Sequence, residues 1–251
     1  MESSTENINN TFFKGLYKEI WKKLMHPGLS KAECDFIIDV AKLYKGDKVL
    51  DIMCGHGRHA LELAKRGMLV YAVDNLSDYI DEINATAEKD NTSIQTAAVN
   101  ILEADFPGGN KAVVCMGNSF AFFNREEASV LLQKIAESLN DDGVFIINSW
   151  MIAEIAIRHF EAKQYQEVDG FKYQIDNNFC FYPSRIESLH TVTNEDGRSE
   201  VIKGVDYIFT LSELDEMFSL AGLKTVSVFS TPRKRKFSLG DSSVYIVVRK
   251  K

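Results

Sequence analysis

The chain has 251 residues, 45% hydrophobic and 26% charged, which suits one α/β domain with room for an insertion. Its net charge of −7 argues against non-specific binding to DNA or RNA, which needs a basic surface. No run approaches the roughly 18 apolar residues of a membrane span, and the polar start MESSTENINN lacks the features of a secretion signal. The four cysteines show no C-x-x-C pair and no metal-ligand spacing, so we expect a reduced, cytoplasmic chain without a metal.

The N-terminal region is predicted to be helical from about Asn10 to Leu43, because its apolar residues recur at three- and four-residue spacing. Pro27-Gly28 interrupts this pattern, and Ser30 is the expected N-cap of a second helix. We therefore treat residues 1–45 as a helical cap on the domain that follows.

The stretch from Val49 to Gly67, VLDIMCGHGRHALELAKRG, carries the strongest signal in the chain. An apolar strand ends at Asp51, a glycine turn follows at Cys54-Gly55-His56-Gly57, and a helical pattern then begins. Such strand–turn–helix units bind nucleotide-containing cofactors at the carboxyl end of the strand. The glycines permit unusual φ angles and close approach to bare backbone, and the helix N-terminus offers free N–H groups.

Two cofactor classes fit this unit. The next apolar run ends at Asp74, whose carboxylate can accept both hydrogen bonds of a ribose diol. Residues 55–60 also match the dinucleotide fingerprint G-x-G-x-x-G/A, which would indicate an NAD-linked oxidoreductase. However, Asp51 would repel a pyrophosphate and would suit the ammonium group of the methionine moiety in S-adenosylmethionine.

Downstream of Lys48, short apolar runs alternate with helical segments, which predicts a parallel sheet with helices on both faces. The five runs are Val49–Ile52, Leu69–Val73, Ile94–Val99, Ala112–Met116 and Val144–Asn148. After Trp150 the pattern changes to antiparallel strands between Phe171 and Phe209, with a hairpin loop at residues 194–197. The final runs, Thr225–Phe229 and Val244–Val248, have no helix between them and predict an antiparallel hairpin.

The glycine turn and its neighbours form the pattern D-x-x-C-G-x-G-R-H, in the residues Asp51, Cys54, Gly55, Gly57, Arg58 and His59. In this pattern the chain resembles the class I S-adenosylmethionine-dependent methyltransferases, and most closely a bacterial branch that acts on small molecules. The resemblance extends from about Asp47 to the end of the chain. It implies a Rossmann-like, seven-stranded sheet over residues 46–251, mostly parallel with an antiparallel last strand. Residues 155–210 would be an antiparallel β insertion, either a substrate lid or a stabilising flap.

The resemblance also implies the cofactor contacts. Asp51 and the glycines would shape the methionine pocket, Asp74 would hold the ribose, and Asn100 stands where the family usually has an acid for the adenine amino group. Arg58 would either bind a carboxylate or remain solvated. His59 would form a structural contact, either with nearby backbone or with Asp51. The expected cofactor residues are Tyr17, Trp21, Asp51, Cys54, Gly55, Gly57, Arg58, Asp74, Asn75, Asn100, Ile101, Met116 and Gly117.

The predicted reaction is methyl transfer to an oxygen, nitrogen or carbon atom of a small-molecule acceptor. Tyr17 and Trp21 lie one helical turn apart and would place an aromatic face near the sulfonium, although such a pair is also typical of a buried helix stripe. Residues 116–120 resemble the family's GNSFGYF segment, which lines the path to the acceptor. His190 and Tyr207, on the inserted strands, are the candidate general bases.

The identity of the acceptor does not follow from the resemblance. The family's Arg-x-Tyr before its penultimate helix is replaced here by Tyr207-Ile208-Phe209. The basic run Arg233, Lys234, Arg235 and Lys236 indicates either an anionic acceptor at the rim of the site or a solvated loop. A methyltransferase-like scaffold that binds a partner without catalysis remains an alternative, and both a monomer and a homodimer are compatible with the sequence.

Overall fold

The computed structural model describes residues 7–25 and 27–251. Its helices are α1 (Gly15–Leu24), α2 (Pro27–Ala41), α3 (Ala60–Lys65), α4 (Ser77–Lys89), α5 (Arg125–Ser138), α6 (Ala153–Ala156) and α7 (Leu211–Leu220), with 3-10 turns at Ile8–Thr11 and Ser119–Phe122. Its strands are β1 (Lys48–Ile52), β2 (Leu69–Asp74), β3 (Gln95–Ala98), β4 (Asn110–Cys115), β5 (Leu139–Ser149), β6 (Lys163–Val168), β7 (Phe171–Phe181), β8 (Ser184–Thr193), β9 (Ser199–Tyr207), β10 (Leu223–Phe229) and β11 (Val244–Lys250).

The main sheet has seven strands in the order β10-β11-β5-β4-β1-β2-β3. Strands β1 to β5 pair in parallel, whereas β11 is antiparallel to both β5 and β10. The central strands are buried on both faces, so they read as continuous apolar runs, as in other parallel sheets covered by helices. The Rossmann-like sheet predicted from the sequence, including its antiparallel last strand, is confirmed.

Strand order determines where a ligand can bind. Because β1, β2 and β4 are parallel neighbours, their carboxyl ends meet at one edge, beside the crossover where the order changes direction. Apolar side chains alternate between the two faces of the sheet: Leu50 and Ile52 pack with α5 and α7, and Val49 packs with α2 and α3. These two apolar layers hold the strand ends in place.

A second, antiparallel sheet has the order β6-β7-β8-β9, which confirms the predicted β insertion and its hairpin at residues 194–197. One face of this sheet packs on α1 through an apolar cluster that includes Leu16, Tyr17, Tyr173 and Val192. Strand β6 has no counterpart in the sequence prediction, because its polar residues, KQYQEV, are exposed along an edge and show no apolar alternation.

The two N-terminal helices pack on different parts of the molecule: α1 lies against the antiparallel sheet and α2 against the main sheet. The predicted N-cap at Ser30 is wrong, since α2 already begins at Pro27, and proline is favoured at the first position of a helix. Ser30 lies inside α2, where its hydroxyl accepts a hydrogen bond from Arg58 at 3.2 Å. Across the described residues, no helix combines the length and apolarity needed to span a membrane.

Candidate active site

A hollow opens at the carboxyl ends of β1, β2 and β4. Most of the residues predicted to contact a cofactor line it, namely Trp21, Asp51, Cys54, Gly55, Arg58, Asp74, Asn75, Asn100, Ile101, Met116 and Gly117. The fold therefore brings together residues that are up to 96 positions apart in the sequence, from Trp21 to Gly117. Tyr17, Gly57, His190 and Tyr207 are not among the residues that line it.

The two glycines of the turn differ in what surrounds them. Gly55 has a φ of +54°, and a Cβ built there would meet no atom within 4 Å, because it would point into open space. Gly57 has a φ of +76°, and a Cβ there would lie 2.5 Å from the side chain of Ile83 in α4. Gly55 thus leaves room for a ligand, whereas Gly57 allows close packing between the turn and α4.

Asp51 is buried at the end of β1, and its Oδ2 atom has no hydrogen-bond partner among the described residues. Burial raises the pKa of this carboxyl to about 7, while the nearby Arg58 guanidinium and the Ala60 N–H lower it. A buried oxygen that lacks a donor is costly, by about 1–3 kcal/mol. The site therefore favours a ligand that brings a positively charged or N–H donor to Asp51.

Asp74, at the end of β2, supports the glycine turn. Its Oδ2 accepts a hydrogen bond from the Gly55 N–H at 2.8 Å, and its Oδ1 accepts one from the Leu76 N–H at 3.0 Å. Burial raises the pKa of this carboxyl, and the hydrogen bonds from Leu76 and Gly55 oppose the rise. Each carboxylate oxygen keeps a lone pair for a ligand hydroxyl.

Arg58 and His59 belong to a buried polar cluster centred on Glu33 of α2. Glu33 accepts hydrogen bonds from Arg58, from His59 Nε2 at 2.8 Å and from the Tyr245 hydroxyl at 2.8 Å. Burial alone would raise the pKa of Glu33, but His59 and Arg58 lower it to about 2. His59 was expected to bind nearby backbone or Asp51; its Nε2 atom instead bonds to Glu33, and the imidazole joins α2 to the glycine turn.

Asn100 forms part of the far end of the hollow. Its Oδ1 accepts a hydrogen bond from the Leu102 N–H at 3.0 Å, so this carbonyl oxygen also stabilises its own loop. On the opposite side, Gly117 has a φ of +71° and open space where a Cβ would be. Gly117 and Gly55 thus both leave bare backbone at the hollow.

Residues of the N-terminal segment, within the region predicted as a helical cap, line the hollow. Asn9 pairs with the backbone of Val205 in both directions, donating to its carbonyl at 2.8 Å and accepting from its N–H at 3.0 Å. Asn75 donates to the Asn10 carbonyl at 2.9 Å. Further lining residues that the sequence analysis did not name are Asn7, Asn9, Asn10, Phe13, Tyr79, Phe122 and Phe123. Asparagine in a polar N-terminal segment is usually solvated, so the sequence did not mark Asn9 and Asn10 as residues of the hollow.

The two candidate bases lie apart from the hollow. The His190 ring is buried against Phe12 and Tyr17, and its Nδ1 hydrogen-bonds the Tyr173 hydroxyl at 2.5 Å. Burial lowers the pKa of His190 to about 4. Tyr207 lines a different, smaller pocket. Tyr17 itself is buried in the cluster between α1 and the antiparallel sheet.

The basic run lies in the loop between β10 and β11, at the same edge of the sheet as the hollow but at its far end. Strand β10 is four positions from β1, or about 19 Å at about 4.8 Å per strand. Lys234 pairs with Asp39, and Arg235 pairs with Asp241. None of the four basic residues is among those that line the hollow in the described part of the chain.

Comparison with known proteins connects this geometry to one class of enzyme. Residues 49–143, which contain β1 to β4 and the glycine turn, match the family model of a methyltransferase domain. The chain is 30% identical over 162 residues to the probable S-adenosyl-L-methionine-dependent methyltransferase TehB of Haemophilus influenzae, covering 64% of this chain and 56% of that protein. It is 29% identical over 122 residues to the glycine/sarcosine N-methyltransferase of Halorhodospira halochloris, covering 47% and 46%. The chain thus spans about half the length of these curated relatives.

Solved structures show the same fold over nearly the whole chain. A S-adenosylmethionine-dependent methyltransferase from Clostridium acetobutylicum has a TM-score of 0.81 at 15% identity, covering 94% of this chain and 96% of that one. The amino pentose methyltransferase CalS10 from Micromonospora echinaspora, solved with S-adenosylmethionine bound, has a TM-score of 0.70 at 17% identity, covering 94% and 98%. Residues 49–143 thus resemble a methyltransferase domain, and the chain as a whole has the fold of solved methyltransferases.

Proposed function

We propose that this protein transfers a methyl group from S-adenosylmethionine to a nitrogen, oxygen or carbon nucleophile of a small molecule. The observation that carries the proposal is the unpartnered Oδ2 of Asp51, buried beside the glycine turn. An ammonium group is the donor that such an oxygen favours, because it supplies both charge and N–H. The amino-acid tail of S-adenosylmethionine carries one.

The residues around the hollow fit the rest of this cofactor. Asp74 offers its remaining lone pairs to the ribose hydroxyls, and Gly55 and Gly117 leave the bare backbone that close approach requires. Asn100 and Ile101 lie where the adenine would bind. Arg58, held by Glu33, adds a positive charge that suits the tail carboxylate.

Bound in this way, the cofactor would supply a methyl group on a positively charged sulfur. The chain would contribute alignment of the acceptor and exclusion of water. The rings of Phe13, Trp21 and Phe122 line the hollow, and the segment held by Asn9 closes it. Aromatic faces beside a sulfonium are favourable.

A small-molecule acceptor is supported by the relatives, two of which are named for glycine/sarcosine and for an amino pentose. Of the two candidate bases, His190 lies against Tyr17 in the aromatic cluster, whereas Tyr207 lines the separate pocket. Neither side chain lines the hollow, so we propose that catalysis depends on alignment of the acceptor, with His190 and Tyr207 outside the reacting groups.

Calorimetric titration with S-adenosylhomocysteine tests the proposal, with NADH as the alternative ligand. We expect S-adenosylhomocysteine to bind and NADH to give no heat. Asp51→Asn should weaken binding at least tenfold, while Asp81→Asn, at an exposed position on α4, should leave it unchanged. Binding of NADH, or equal affinity in both variants, would contradict the assignment.

A further inference from the structure

Asp206 in β9 of the antiparallel sheet is one hydrogen bond from the loop that lines the hollow. Along β9, side chains alternate between the two faces, so Asp206 shares a face with Gly204 and Ile202. That face looks toward the N-terminal aromatic residues, because a Cβ on Gly204 would lie 2.6 Å from the Phe12 ring. Neither the resemblance nor the comparisons assign Asp206 a role.

Asn118 connects Asp206 to the hollow. Its Nδ2 donates to Asp206 Oδ1 at 2.9 Å, and its chain neighbours Gly117 and Ser119 both line the hollow. The side-chain Oδ1 of Asn118 accepts a hydrogen bond from the Ser149 hydroxyl at 2.7 Å and another from the Trp150 N–H at 3.2 Å. These two bonds fix the amide so that its NH2 group faces Asp206.

Asp206 has no counterion. In the described part of the chain, no lysine or arginine forms an ion pair with it, and Asn118 provides its hydrogen bond. Burial raises the pKa of Asp206 to about 7, and the Asn118 bond lowers it only in part. The second carboxyl oxygen is therefore available to a donor that the chain itself does not supply.

Aromatic rings lead from the neighbourhood of Asp206 to the hollow: burial, Tyr173 and Asp206 together raise the pKa of Tyr17, so Asp206 lies near that ring. Tyr17 stacks on Trp21 with 6.2 Å between ring centroids, and Trp21 lies 6.2 Å from Trp150. The backbone N–H of Trp150 also donates the hydrogen bond to Asn118 Oδ1. A carboxyl group near aromatic rings favours an amine or ammonium ligand and disfavours an anion.

We propose that the acceptor is a small amine and that Asp206 binds its nitrogen, as the residue that determines specificity; this rests on the proposed function. An amine that donates one N–H to Asp206 keeps its lone pair free for the methyl group. In the reaction, the lone pair forms the new N–C bond as the S–CH3 bond breaks and sulfur takes that electron pair. The product ammonium then releases a proton to water.

The test uses the full chain and tritium-labelled S-adenosylmethionine with a panel of small amines, each matched to an alcohol and a carboxylate of the same carbon skeleton. We expect methyl transfer to amines and none to the matched alcohols or carboxylates. Transfer to an alcohol or carboxylate, or to no amine in the panel, would overturn the assignment. If S-adenosylhomocysteine fails to bind the wild-type chain, the proposed function fails instead.

Variants then test the role of Asp206 with the best amine of the panel. Asp206→Asn should raise KM for the amine at least tenfold and leave kcat within about threefold, and Asp206→Glu should restore part of the loss. The Kd of S-adenosylhomocysteine should stay unchanged, which shows that the variant folds. Glu187→Gln, on the outward face of β8, is the control and should match the wild type. An unchanged KM in Asp206→Asn would refute the proposal.

Discussion

The Gly55 N–H donates a hydrogen bond to the Asp74 carboxylate at 2.8 Å, so the tip of β2 closes the turn that follows β1. Two acids on neighbouring strands thus have different tasks. Asp74 shapes the turn through two backbone hydrogen bonds, whereas Asp51 keeps an unpartnered oxygen at the hollow. We therefore expect the two acids to respond differently to substitution.

Asp74→Ala should lower the free energy of unfolding by about 1–3 kcal/mol, because the Gly55 and Leu76 N–H groups would lose their acceptor. It should also weaken S-adenosylhomocysteine binding. Urea unfolding and calorimetric titration measure the two effects. Asp81→Ala is the exposed control on the adjoining helix, and a stability loss of the same size there would contradict this role for Asp74.

Asp51→Asn should have the opposite effect on the ligand-free protein. The pKa of the Asp51 carboxyl is about 7 in the folded chain, above its ordinary value of 3.8, so the folded chain binds this proton more tightly than the unfolded chain does. The stability that this contributes is fully present below pH 3.8 and is lost progressively as pH rises from 3.8 to about 7. At pH 8 we expect Asp51→Asn to be more stable than wild type by about 4 kcal/mol, and at pH 5 by about 2 kcal/mol.

Urea unfolding at the two pH values measures this difference. Asp51 is buried, so solvent screening is slight. An equal difference at pH 5 and pH 8 would show that ionisation of Asp51 is not its cause.

Glu33→Gln should destabilise the protein by about 3–5 kcal/mol, because it removes the buried charge that faces Arg58 and leaves one acceptor oxygen for three donors, Arg58, His59 and Tyr245. The pKa of Glu33 is lowered from 4.5 to about 2, so its contribution is present above pH 4.5 and is lost as pH falls toward 2. Asp35→Asn, at an exposed acid on the same helix, should cost less than about 1 kcal/mol. Thermal or urea unfolding measures both variants. A similar loss of stability in Glu33→Gln and Asp35→Asn would contradict the role of Glu33 as the acceptor of the buried cluster.

Gly55→Ala and Gly57→Ala form a matched pair. Both place a side chain at positive φ, which costs about 1 kcal/mol. Only Gly57→Ala also meets Ile83 at 2.5 Å, so it should lower Tm further. Gly55→Ala should keep most of its stability and lose affinity for S-adenosylhomocysteine, because its methyl group would enter the hollow. A lower Tm for Gly55→Ala than for Gly57→Ala would contradict these roles of the two glycines.

The sequence predicted the main sheet well, because strands such as β1 and β2 are apolar runs and Asp51 and Asp74 mark their ends. It brought Asp51 and Asp74 to one edge of the sheet for the same reason, since strand ends at one edge must converge. Contacts between distant segments carry no such local signal. The pairing of Glu33 with His59 depends on how α2 packs, and the approach of Asp206 to Asn118 depends on how the antiparallel sheet folds back.

A crystal structure of the chain soaked with S-adenosylhomocysteine tests the central claim most directly. The account predicts ligand density in the hollow, with the amino group within hydrogen-bond distance of Asp51 Oδ2 and the ribose hydroxyls at Asp74. An empty hollow at saturating ligand, or a ligand bound away from both carboxylates, would contradict it.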